Sequence, residues 1–204
     1  MNFKGKIMIK NKLGKAVVLA TILTSSVMAD TVIQPDYSLI GIEGGITSIN
    51  SDVDDYTNNT SDTASKTVQN IGVKIGAESY NYRLFLTGNY YSNPDSSYDY
   101  VGTYGGQLDY LMNVSKKMNL YIGINAGVVN MKFKAPNETS KRLVSDPYYG
   151  ADAGLNFHAT KLIDLELGGR LMMLDAANTK DKVTYTFNNF ITGYASIIFK
   201  FQMD

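Results

Sequence analysis

The sequence predicts an all-β protein: eight antiparallel strands closed into an up-and-down barrel that spans a membrane. Three observations carry this reading. Apolar and polar residues alternate with period two along most of the chain, connections alternate between short and long, and an export signal comes first. The last strand shows the alternation most clearly. Ile191, Gly193, Ala195, Ile197, Phe199 and Phe201 fall on one side, and Thr192, Tyr194, Ser196, Ile198 and Lys200 on the other. Successive side chains of a strand point to opposite faces, so this segment has one greasy side and one mostly polar side. Its length matches the roughly 9–11 residues that a tilted strand needs to cross a bilayer.

The chain has 204 residues, no cysteine and only 19% charged residues, which excludes a disulfide framework and a thiolate metal site. Its net charge of zero conceals an asymmetry. Lys4, Lys6, Lys10, Lys12 and Lys15 lie in an acid-free leader, and removing them leaves 14 basic against 19 acidic residues. A chain of that sign lacks the basic stripe that nucleic-acid binding requires. Residues 1–29 are read as a signal peptide: a lysine-rich start, the apolar run Ala16 to Leu23, and the small-residue cleavage pattern Val27-Met28-Ala29. Translation from Met8 would keep Lys10, Lys12 and Lys15. Residues 30–204 then form a single barrel domain.

The first strand is expected from Tyr37 to Ile49, with Ile40, Ile42, Gly44 and Ile46 opposite Glu43. Asn50 to Lys66, rich in Asp, Asn, Ser and Thr, is expected as a long exposed loop. The second strand, Thr67 to Glu78, sets Ile71, Val73, Ile75 and Ala77 against Lys74 and Glu78. A tight turn at Ser79-Tyr80-Asn81 follows. The third sets Tyr82, Leu84, Leu86 and Tyr90 against Arg83 and Asn89, and a loop with Asn93-Pro94-Asp95 leads on. The fourth sets Tyr104, Leu108, Tyr110 and Met112 against Gln107 and Asp109, and Asn113 to Lys117 is a turn. Leu120, Ile122, Ile124 and Val128 form the apolar face of the fifth, with Tyr121 out of pattern, before a charged loop from Lys134 to Pro147. The sixth sets Tyr149, Leu155 and Phe157 against Asp152 and His158. The seventh sets Ile163, Leu165, Leu167 and Leu171 against Asp164, Glu166 and Arg170. Asp175 to Lys182 is the last loop before the eighth strand, where Asn189 interrupts the apolar face.

Alternation alone does not say which face is inside, since a soluble eight-stranded barrel is apolar within and charged without. Three features turn this one the other way. The polar face is rich in Gly, Asn, Thr and Ser with few charges per strand, which suits a narrow lumen. Aromatics in the apolar register gather at both ends: Tyr82, Tyr110, Phe157, Phe199 and Phe201 by the short turns, and Tyr90, Tyr104, Tyr149, Tyr185 and Phe187 by the long loops. Two aromatic girdles are the mark of two membrane interfaces. The signal peptide supplies the third.

On these features, from Tyr37 to Phe201, the chain resembles the small eight-stranded outer-membrane barrels of the OmpA/OmpX kind. The resemblance implies the cell outer membrane of a Gram-negative bacterium, contact with outer-membrane lipid and lipopolysaccharide, and recognition of the C-terminal strand by the barrel-assembly machinery. Such families end on the aromatic itself, whereas this chain adds Gln202-Met203-Asp204 after Phe201. No periplasmic peptidoglycan-binding domain is expected after the barrel. Loops on the outside are expected to meet any extracellular ligand.

The polar register predicts a lumen network of Glu43, Lys74, Glu78, Arg83, Asp109, Asp152, Asp164, Glu166, Arg170 and Lys200. An eight-stranded barrel is wide enough only for side chains to fill, so paired charges form a plug. The alternative is a narrow porin-like path in which pairs exchange partners. Small barrels that deacylate or palmitoylate lipid A use a histidine near the outer leaflet. The only histidine here, His158, is expected at the opposite, periplasmic end, with Thr160 rather than a serine close by. The expectation is therefore no enzyme and no catalytic residue. No cofactor is expected, and no metal: Asp52, Asp54 and Asp55 lack the glycine turn and distal glutamate of a calcium loop.

Overall fold

The computed structural model describes residues 36–55, 60–92, 98–133, 141–180 and 183–203. The leader read at residues 1–29, the Asn93-Pro94-Asp95 loop and residues 134–140 of the charged loop lie outside them. Eight strands follow in order: β1 (Tyr37–Asp55), β2 (Thr60–Ser79), β3 (Tyr82–Tyr91), β4 (Tyr98–Ser115), β5 (Met118–Phe133), β6 (Arg142–His158), β7 (Ile163–Lys180) and β8 (Val183–Gln202). Each pairs antiparallel with its neighbour in sequence, and β1 pairs with β8, so the sheet closes into a barrel. Closure satisfies every strand edge, the condition for backbone to lie in hydrocarbon.

The turns at Tyr80–Asn81 and Lys116–Lys117, the 159–162 connection and the Tyr37–Gln202 seam all sit at one end, the short-turn end. Tyr80 turns the chain with a left-handed φ of 52°, and its N–H donates to the Asp36 carboxylate at 3.0 Å. Burial alternates along each strand. In β8 every second residue from Phe190 to Lys200 is buried, and those between are exposed. The buried face is the lumen.

The strands are longer than the hydrophobic pattern predicts. β2 and β8 reach 20 residues, about twice what a crossing requires. Much of the expected loop at Asn50 to Lys66 is instead ladder, paired without a break from Asn50↔Ser65 to Asp55↔Thr60. Residues 142–147 and 175–180 likewise extend β6 and β7. Pairing uses backbone groups that every residue here except Pro147 carries in full, so polar side chains do not stop a strand that has a partner. Cross-strand hydroxyls add to it: Ser48 meets Ser65 at 2.9 Å, and Thr63 donates to Asp52 at 2.9 Å.

Candidate functional site

The outer wall is built first. Ile40, Ile42, Ile46, Ile71, Val73, Ile75, Leu84, Leu86, Ile122, Ile124, Leu167 and Ile197 all point outward and are exposed, Leu86 by 73%. Exposed apolar area on this scale, wrapped round a closed sheet, needs lipid to cover it. Tyr82, Tyr110, Phe157, Phe199 and Phe201 ring its short-turn end, where Tyr82 and Tyr110 pack at 5.3 Å. Tyr90, Tyr104 and Tyr149 ring the other end.

Two residues assigned to that second ring lie elsewhere. Phe187 is 0% exposed and faces the lumen, and Tyr185 is half-buried against the same interior cluster. The cause is a bulge in β8. Asn50 pairs with Asn189 and Ser51 with Phe187, so Asn188 is the extra residue. One extra residue exchanges the two faces of the strand beyond it, here the stretch before Asn188 that holds Tyr185 and Phe187. Side chains hold the irregularity: Asn188 donates to Asp52 at 2.7 Å, and Asn50 to Asn189 at 2.6 Å. The sequence signal was Asn189 breaking the apolar face.

Inside, the ten charged residues named from the polar register are all buried. Three sub-clusters join them. Arg170 binds both oxygens of Glu43 (2.7 and 3.2 Å), Asp152 (2.7 Å) and the side-chain carbonyl of Gln107 (3.0 Å). Glu166 accepts from Lys74 and Arg83, each at 2.7 Å, while Lys74 also lies 3.2 Å from Glu43 and Arg83 donates to Asp109 at 2.9 Å. Nearest the short turns, Lys200 pairs with Glu78 at 2.5 Å and lies 3.5 Å from Asp164. Amides connect the groups. Gln107 donates to Asp109 at 2.9 Å, Asn156 joins Arg83 (3.3 Å) to Asp164 (2.9 Å), and Asn125 donates to Asp152 at 2.6 Å. Six carboxylates thus face four cations, each held by more than one neighbour or by a close ion pair, the arrangement that offsets the cost of burial.

Aromatic rings and glycines complete the filling. Tyr121, out of pattern in the sequence, points inward, and its hydroxyl meets that of Tyr194 at 2.8 Å. The space it fills is left by Gly154 and Gly168, where an added Cβ would collide with that hydroxyl. Arg83 lies over the Tyr121 ring at 5.1 Å and Arg170 over Tyr194 at 4.7 Å, both favourable cation–π placements. His158 sits at the short-turn end with Nδ1 2.8 Å from Asp164, and it lines a shallow cleft of about 400 Å³ with Asn113 to Lys116 and Asn119.

From the second ring upward the lumen changes character. Ile49, Val68, Tyr91, Val101, Val129, Met131, Phe133, Val144, Tyr148, Met172, Leu174, Ala176, Phe187 and Phe190 form one buried apolar cluster. Phe190 meets Tyr91 edge-on at 5.5 Å, and Phe187 meets Phe133 at 5.6 Å. The sequence reading missed this cluster. Its signal was present, because the inward register turns apolar at Val101, Val129, Met131, Met172 and Phe190 while the outward register turns polar. Arg142 is buried beside it, donating to the carbonyls of Asn178 (3.0 Å) and Val183 (3.1 Å) and lying 5.0 Å over the Tyr185 ring.

Solved structures with the same architecture include OprG of Pseudomonas aeruginosa (TM-score 0.59, 13% identity, 83% of this chain against 98% of that one). Neisserial surface protein A (NspA) aligns with TM-score 0.57 at 15% identity, over 79% of this chain and 97% of its own. The N-terminal β-barrel domain of P. aeruginosa OprF aligns with TM-score 0.50 at 13% identity, over 82% and 100%. The fold is that of a small outer-membrane β-barrel. No protein-family model and no curated protein sequence matches the chain, so the likeness is one of fold.

Proposed function

We propose that this barrel is an integral protein of a Gram-negative outer membrane with a structural and surface-interaction role, its lumen plugged and without catalytic function. The observation that carries the plug is continuous filling: ion pairs and amides through the lower lumen, then a closed apolar cluster above. Ions crossing it would have to separate buried pairs and then enter an apolar stretch, both costly. Strands that continue past the lipid belt support the interaction role, since they hold the outer connections on ordered ladder. The His158 imidazole is engaged by Asp164 at the short-turn end, which supports reading it as a structural histidine at the end of the lumen.

The test has two stages. The outer-membrane fraction is run on a detergent gel cold and boiled, and a heat-dependent shift is expected of a folded membrane barrel. The refolded protein is then placed in a planar bilayer, where no discrete conductance steps are expected. Stable steps would replace the plug with the second reading, a narrow channel for small solutes. Hydrolysis of lipopolysaccharide acyl chains that vanished in a His158→Ala variant would replace it with an enzyme.

A further inference from the structure

The cleft of about 400 Å³ beside His158, at the short-turn end of the lumen, has a volume within the usual range for small-ligand sites. Three neighbouring strands build it. Asn119 on β5 pairs with Asn113 on β4 and with Asn156 on β6, so three amides stand in a row in the inward register. Asn156 is fully committed, accepting from Arg83 and donating to Asp164. Asn119 is not. It is 4% exposed and lines the cleft, yet its side-chain oxygen has no hydrogen-bond partner among the described residues. A buried acceptor left open costs free energy, which a donor entering the cleft would recover.

Three further features narrow the ligand. The Asp164 carboxylate accepts from Nδ1 of His158, so in the neutral ring Nε2 keeps its lone pair on the edge left to the cleft. Ser115 Oγ already accepts from the Lys117 N–H at 3.2 Å and keeps its own hydrogen to give, with the exposed Lys116 ammonium next to it in the turn. Val114 is the extra residue of a bulge between Asn113 and Ser115, and it lines the cleft 52% exposed. Bulges re-aim side chains in this way beside functional sites. The cleft thus offers two acceptors, a hydroxyl donor beside a cation, and one apolar wall. A molecule that answers all of them carries N–H donors, a carboxylate and an apolar side chain close together, as the end of a polypeptide does.

We propose that this cleft binds the C-terminal residues of an extended polypeptide. Lys116 and the Ser115 hydroxyl take the α-carboxylate, Asn119 Oδ1 accepts a main-chain N–H, His158 Nε2 accepts a second, and the last side chain lies on Val114. The site rests on the outer-membrane reading above only for the compartment it faces, the periplasm.

His158 is the only histidine of the chain, so histidine-selective isotope labelling of the untagged protein gives a single imidazole signal, and it lies at the site. The refolded protein in lipid nanodiscs, open to solution on both faces, is titrated with acetyl-glycylglycyl-leucine and followed by NMR. A saturable shift of that signal is expected with the free acid, and none with the C-terminal amide. Lys116→Gln is expected to bind the peptide about tenfold more weakly, as for the loss of one charge-assisted hydrogen bond. Asn119→Ala should weaken it as well, and both variants should keep the cold-versus-boiled gel shift. Absence of any shift in the wild type would overturn the site, as would an equal shift with the amide or unchanged affinity in Lys116→Gln. So would an equal response to glucuronate, which brings hydroxyls and a carboxylate without an apolar side chain. Loss of the gel shift in the wild type itself would instead overturn the membrane-barrel reading.

Discussion

The lower and upper parts of this barrel solve opposite problems with the same alternation. Below the second ring the outside is Ile, Val and Leu and the inside is Glu43, Lys74, Arg83, Glu166 and Arg170. Above it the outside offers Ser48, Ser65, Thr67 and Gln69, while Ile49, Val68, Met131 and Phe190 fill the inside. The lower part is a membrane protein with a polar interior, and the upper part has the polarity of a soluble barrel. The difference teaches that the surroundings of the wall, and not the fold, set which register is apolar. Where lipid covers the outside, apolar groups belong there and polar groups must satisfy one another within. Where water covers it, the ordinary hydrophobic core returns.

The sharpest way to break this comparison is to take a cation from the lower network. Arg83→Met leaves Asp109 and Glu166 short of a partner in a closed lumen, and is expected to cost about 3–5 kcal/mol, measured by urea unfolding in vesicles. A loss below about 1 kcal/mol, as for an exposed pair, would mean that water reaches the network. In the upper part Phe190→Ala is expected to cost about 3 kcal/mol, the low end for a phenylalanine truncation. Here the loss is local. Hydrogen exchange should speed up in the 49–53 and 187–190 segments while the lower ladder stays protected, and uniform loss of protection would merge the two parts into one cooperative unit. The smallest effect comes from one charge placed outward at two heights on β2. Val73→Lys is expected to cost about 2–4 kcal/mol in lipid, whereas Thr67→Lys should stay within about 0.5 kcal/mol. Equal costs would move the upper edge of the lipid belt past Thr67.

Strand number, closure and the inward positions of the ten charged residues were legible because the alternation from Ile71 to Ala77, and again from Ile163 to Leu171, is strict and long. Partners were not legible. That Glu166 would meet Lys74 and Arg83, 92 and 83 residues away, depends on shear and side-chain reach across the lumen. Strand ends were misjudged where polarity was taken as a stop, as at Asp52 and Asp54, because hydropathy reports the surroundings of a wall and not its hydrogen bonds. Phe187 departs from expectation for a third reason: a bulge moves phase by one residue, and only the change at Asn189 hints at it.

The seam between β1 and β8 joins the two ends of the ladder. Thr47 on β1 meets Thr192 on β8 across 145 residues. Until the last strand is home, Glu78 and Asp164 stand without Lys200, and both edges of the sheet lie open. A half-made sheet of this composition would have to carry lone charges and bare peptide groups into oil. The order of events in assembly is thereby constrained: the eighth strand must meet the first as the sheet enters the bilayer, or before it, so that zipping the seam and crossing the membrane become a single step.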